Sequence, residues 1–234
     1  LPGAVGAAGY FAMRVQSLLL FGIFLALGGS IKAAEEHPIT VKQLPPKIVR
    51  RPYDLKHPPR DLPKLSRAEA GDCNFQVTCD AGMGFLVDTL DAHTVEVEVD
   101  SMDIVLSLPV TVWIGLGTPP KLGQHEEGHR QICEDYYRGA DVTARDLAKE
   151  MIGKKARATG RNKQEAQEKA QQQLLTEYNT AYMHAVRDRM LHAQQHYDLI
   201  TVHGLKPIPE KEAIAQAEAL VKAGVVPPPD PYLK

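Results

Sequence analysis

Neither sign of charge dominates this chain. Lys and Arg number 27 against 29 Asp and Glu, a formal net charge of -2. That balance excludes a nucleic-acid binder working by bulk charge, which needs a basic surface. No apolar run reaches the ~18 residues of a membrane-spanning helix. The chain has only three cysteines, Cys73, Cys79 and Cys133. They allow at most one disulfide, with one thiol left over and the pairing open. No local nucleophile signature surrounds any of them. Lack of apolar content is not among the deficits: 44% of residues are hydrophobic, too many for a wholly disordered chain. These limits leave one folded domain with tails.

The longest apolar run is Leu18 to Leu27, preceded by Arg14 and followed by Gly28-Gly29-Ser30 and Ala33-Ala34. A basic residue, a short apolar core and small residues in that order read as a secretory signal, with cleavage after Ala33 or Ala34. Met13 stands where such a signal would begin, so residues 1–33 are expected to be a start extension plus signal peptide. No cysteine lies near the cleavage zone, which argues against a lipoprotein anchor. The expected location is secreted or periplasmic. An oxidising compartment of that kind would permit the disulfide.

Seven prolines fall between His37 and Lys64: Pro38, Pro45, Pro46, Pro52, Pro58, Pro59 and Pro63. Each removes a backbone donor and biases its predecessor toward extended geometry. Residues 34–70 are therefore expected to be a Pro-rich basic linker. Its lysines and arginines offer a contact for acidic envelope surfaces. Residues 224–234, again rich in proline, are expected to be a flexible tail. The folded domain is then placed at 71–223.

Within it, residues 72–117 carry short strand-like runs. Val95-Glu96-Val97-Glu98-Val99 alternates apolar and charged positions, as a strand with one buried face does. Phe85–Val87, Ile104–Leu108 and Val110–Leu116 add further runs rich in strand formers, the last a candidate to pair with an extended peptide. From Pro119 the period becomes helical, with a break expected at Gly139. A long helix is expected from about Asn162 to Gln195, striped by Leu174, Leu175, Tyr178, Ala181, Tyr182, Ala185 and Val186, and a short one over 209–222. The fold class is α+β: a small, mostly antiparallel sheet packed on two long helical runs.

The chemistry concentrates in His125-Glu126-Glu127-Gly128-His129. On a helix, positions four apart share a face, so His125 and His129 can ligate one Zn2+ while Glu126 leans over the metal as general base. A catalytic zinc usually has a third protein ligand. Glu150, Asp141 and Asp146 are awkward, being expected on the same helix or its tail. His192 and His196 form a second i, i+4 pair, read as exposed. His203 is the most attractive third ligand. Asp198 could hold the far nitrogen of a ligating imidazole. Tyr197 could donate a proton to an oxyanion or simply pack at the helix end. Thr201 could cap or turn the chain, and Arg130 could orient a carboxylate but is expected to face solvent.

The first motif, followed some seventy residues later by Tyr197-Asp198-Leu199-Ile200-Thr201-Val202-His203-Gly204, resembles a bacterial family of secreted zinc-dependent proteases catalogued mainly as a domain of unknown function. The similarity spans roughly residues 75–222. Family members often carry a tryptophan after the second motif; here the one tryptophan, Trp113, precedes the helix. The resemblance implies a zincin-like fold, Zn2+ held by His125, His129 and His203, Glu126 as base, and a peptide or protein substrate. The alternatives are a non-catalytic envelope protein with a structural metal site, in which a fourth protein ligand closes the coordination shell, and a surface-binding module.

Overall fold

The computed structural model describes residues 39–63, 65 and 70–229. The signal-peptide reading, together with Lys64, Arg67 and residues 230–234, lies outside the described residues. The chain is α+β, with seven strands in two mixed sheets and five α-helices among the described residues.

The stretch expected to be a linker begins the fold. Strand β1 (Ile39–Gln43) and strand β2 (Lys47–Tyr53) flank Pro45-Pro46. Strands β3 (Gly71–Phe75), β4 (Thr78–Thr89), β5 (Thr94–Ser107) and β6 (Pro109–Gly115) follow. β1 runs parallel to β5, and β2 runs parallel to β6. The folded unit therefore starts by Ile39, not at residue 71. The prolines conceal this because they sit where they cost no ladder bond. Pro45 and Pro46 lie between the strands, and Pro52 is on the edge strand of the order β2-β6-β3. Part of the basic charge is also committed. Arg50 pairs with Glu127 at 2.9 Å, and Arg51 stacks over the Trp113 ring at 4.1 Å.

The two parallel pairs make both sheets mixed. The other three pairings, β3·β6, β4·β5 and β5 with β7 (Lys155–Thr159), are antiparallel, the majority as expected. β6 (Pro109–Gly115), which covers most of the expected peptide-pairing run, is interior, with both edges used; β3 is the edge strand. β5 joins two runs read separately in the sequence. Val95, Val97 and Val99 are buried, then Met102, Ile104 and Leu106. The phase slips by one residue at a bulge opposite Gly84/Phe85. That extra residue keeps both valine and leucine-rich halves facing the same core, since a slip without it would turn one half to solvent.

Helix α1 (Pro120–Tyr137) starts with a proline in its first turn, where the missing N–H is no loss. It stops before Gly139, and α2 (Ala140–Met151) follows. Helix α3 (Lys163–Met183) is capped by Asn162, whose side chain accepts the Glu165 backbone N–H at 2.9 Å. It buries Ala166, Ala170, Leu174, Tyr178 and Tyr182 at a strict spacing of four against the larger sheet and α2. On an α-helix that spacing drifts steadily around the axis. A π-turn at His184–Asp188 interrupts the drift, and α4 (Arg189–Thr201) continues. One inserted residue swings the following face by about 100°. The same long helix can thus leave the sheet and lie on α1 and on α5 (Glu210–Lys222). A second, smaller core forms there from Ile132, Ala193, Tyr197, Ala213, Ile214, Ala217 and Val221. No described helix is long and apolar enough to cross a membrane.

Candidate metal centre

Gln194, Tyr197, Asp198 and Thr201 recur on α4 at i, i+3, i+4 and i+7, one face that meets the His125–His129 face of α1. The meeting brings three ligand atoms together. Nε2 of His125 and Nε2 of His129 are 3.1 Å apart; Asp198 Oδ1 lies 2.9 Å from the His129 atom and 3.2 Å from the His125 atom. Two ligands of a tetrahedral Zn2+, each ~2.0–2.1 Å from the ion, are themselves about 3.3 Å apart. Two imidazole nitrogens and a carboxylate oxygen in this near-equilateral triangle fit such an ion.

Asp198 therefore stands where His203 was expected. His203 remains close, its Nδ1 3.6 Å from Asp198 Oδ1, but it is not one of the three converging residues. Its position depends on unusual backbone. Val202 and His203 have φ of 51° and 50°, followed by Gly204 at 77°. A β-branched residue in the left-handed region is rare and costs of order 1–3 kcal/mol. Here the turn is fastened by Lys206 N–H to Thr201 O at 2.8 Å and Gly204 N–H to Thr201 Oγ1 at 3.3 Å. It folds His203 back over the cavity and presses Gly204 on His125; a Cβ at Gly204 would come within 2.9 Å of the His125 side chain.

The far nitrogens are held by residues other than Asp198. His129 Nδ1–H donates to Gln194 Oε1, while Gln194 Nε2 donates to His129 O at 2.9 Å and to Cys133 Sγ at 3.1 Å. The amide orientation is thus set by its own partners, and a neutral His129 presents the Nε2 lone pair to the centre. His125 Nδ1 has a long 3.5 Å contact with Thr201 Oγ1. Gln194 is not among the residues that the sequence singles out. Its i, i+4 relation to Asp198 was the available signal.

Tyr197 is fully buried. Its ring stacks on His125 at 4.9 Å, and its hydroxyl donates to Glu210, which Lys121 also grips. Of its two expected roles the geometry matches packing, since the hydroxyl is committed and the side chain does not line the cavity. Gly128 exists for this ring: a Cβ there would lie 2.1 Å from the Tyr197 oxygen. Gly128→Ala should destabilise the protein by about 1–3 kcal/mol through overpacking, read as a lower urea midpoint at unchanged slope.

Other candidates fall away from the centre. Glu150 and Asp146 are exposed on α2, which also carries Asp141. His196 is buried, not exposed, with Nε2 2.9 Å from Val225 O under the chain beyond α5. Arg130 faces carboxylates rather than solvent, donating to Glu127 and Glu134.

The centre forms one wall of a cavity of about 240 Å3 lined also by Glu126, Gly71, Cys73, Phe75, Leu122 and Leu205. Glu126, 5% exposed, thus faces the same space as the ligands, with its side chain against the backbone of Gly71. Burial lowers the His125 pKa, against the pull of Asp198. Burial alone would lower His129 as well, but the Asp198 carboxylate, aided by Glu126, outweighs it and lifts the pKa to about 10. Burial would raise Asp198; the two imidazoles outweigh that and hold it well below the usual carboxylate range.

These shifts give a pH dependence without metal. The raised His129 stabilises fully below its ordinary 6.5, and that contribution is lost as pH rises toward about 10. The depressed Asp198 contributes above its ordinary 3.8 and loses this as pH falls. The depressed His125 contributes above 6.5 and is lost in the same direction. Metal-free protein should therefore be most stable near pH 6.5, with stability in urea declining between pH 7 and 10. Saturating Zn2+, which displaces the His129 proton, should remove that alkaline decline.

Comparison with family models, curated proteins and solved structures finds no match for the chain.

Proposed function

We propose that the chain is a zinc-dependent hydrolase acting on peptides or proteins, with His125, His129 and Asp198 as ligands and Glu126 as general base. The observation that carries this reading is the triangle of donor atoms, 2.9–3.2 Å on a side, opening on a cavity that Glu126 also lines. A bound Zn2+ would polarise a carbonyl and bring the pKa of a bound water to ~7.

The chain's own residues do the rest. Gln194 and Thr201 orient the imidazoles so that both Nε2 atoms point inward. Glu126 accepts the proton of the attacking water and returns it to the leaving amine. His203, on the cavity wall beside Asp198, can donate a hydrogen bond to the oxyanion that develops on the substrate. The edge strand β3, whose Gly71, Cys73 and Phe75 line the cavity, offers an edge along which an extended peptide can lie. The apolar side chains of Phe75, Leu122, Val202 and Leu205 supply its side-chain pocket.

The architecture reads as zincin-like because an HExxH helix lies against a sheet whose edge strand borders the metal site. The segment Arg14–Ala34 supports export to the periplasm or beyond. The test is hydrolysis of a fluorogenic peptide library by zinc-loaded protein. Cleavage abolished by chelation and restored by Zn2+ is expected. The rival reading, a structural metal site, predicts tight metal binding without cleavage of any peptide. The cavity favours the catalytic reading, since it leaves space beside the ligands for water and substrate.

A further inference from the structure

Cys133 lies on α1 one turn beyond His129 and is fully buried; Cys73 lies on β3, half-buried, on the wall of the metal cavity. β3 packs directly on α1, and the neighbouring Cys133 thiol, together with burial, holds the Cys73 thiol well above its ordinary range. Cys79 is placed differently. It sits on β4, opposite Leu106 of the larger sheet, on a strand that packs against α3. Three cysteines allow three pairings, and only Cys73 with Cys133 joins two elements that pack directly on each other, since β4 belongs to the other sheet.

We propose that Cys73 and Cys133 are the site of an intramolecular disulfide, formed when the chain folds in the presence of an oxidant of the disulfide class, either glutathione disulfide or a dithiol oxidoreductase. Two S–H bonds break and one S–S bond forms. Two electrons and two protons pass to the oxidant, whose own disulfide becomes two thiols. The bond ties the edge strand bordering the metal cavity to the helix carrying His125 and His129. It also acts on the network that aims His129, because Gln194 Nε2 donates both to Cys133 Sγ at 3.1 Å and to His129 O at 2.9 Å. Cys79 remains the one thiol left over. Cys133 is fully buried, so the bond forms during folding, before the seam closes over it.

The experiment refolds the full reduced chain from denaturant in a buffer of oxidised and reduced glutathione. Free thiols are then alkylated under denaturing conditions, and peptides are mapped by mass spectrometry without reductant. The expected result is one alkylated thiol, at Cys79, and a Cys73 peptide joined to a Cys133 peptide. The oxidised protein should unfold at a higher urea midpoint than the reduced protein, and Cys73→Ala should show no such difference. Three alkylated thiols, glutathione adducts with no internal link, or a link that includes Cys79 would each overturn the assignment.

Discussion

Asp198→Asn should weaken Zn2+ binding by at least about 100-fold. Zinc bound by four protein ligands is held by about 10–16 kcal/mol, so one ligand accounts for roughly 3 kcal/mol, and the removed carboxylate also carries the one charge among the three donors. The asparagine is nearly isosteric, so the fold should persist while the donor set loses its anion. Gln194→Leu removes the support of His129 Nδ1 together with the bonds to His129 O and Cys133 Sγ, and should cost about 10–100-fold. His203→Ala should leave zinc affinity within a few-fold of the parent and lower the hydrolytic rate instead. Competitive titration against a chromogenic chelator separates the three. If His203→Ala loses zinc as severely as Asp198→Asn, the ligand assignment is wrong.

The second large effect is on turnover. Glu126→Gln should reduce kcat by about 10²–10⁴-fold while zinc affinity stays close to that of the parent. Glu126 lines the cavity with the ligands but is not among the three converging donors. Glutamine keeps its size against the Gly71 backbone and removes the capacity to take a proton. Full activity in this variant would exclude Glu126 as the base. Loss of metal together with activity would make it a ligand or a fold determinant instead.

The helical pair His125 and His129 was legible because its geometry is local: four residues make one turn, whatever packs above. The third converging donor was not, because it depends on how a second helix lies across the first. Asp198 and His203 are five residues apart in one motif, and linear spacing does not say which reaches the centre. Helix phase does. Gln194, Asp198 and Thr201 share a face of α4, whereas His203 follows the helix end and returns only through the left-handed turn at Val202. The π-turn at His184–Asp188 sets that phase, and nothing in the residue pattern announces it.

The parallel strands were hidden for a different reason. β1 and β2 are short, lie among prolines, and gain their order from pairing with β5 and β6 some sixty residues away. Local propensity carries no information about that partner. β7, the five residues Lys155–Thr159, is held in the same way by its pairing with β5. By contrast, the alternation of Val95 to Val99 and the stripe of Leu174, Tyr178 and Tyr182 report their own burial, and the structure buries them.

The central claim is that one metal ion is shared by residues from α1 and α4. Crystals of the zinc-loaded chain, with anomalous data collected on both sides of the zinc absorption edge, test it most directly. A single strong peak is expected about 2 Å from Nε2 of His125, Nε2 of His129 and a carboxylate oxygen of Asp198, with an open position facing Glu126. A peak ligated by His203 in place of Asp198, a shell closed by a fourth protein ligand, or no peak between the two helices would contradict it.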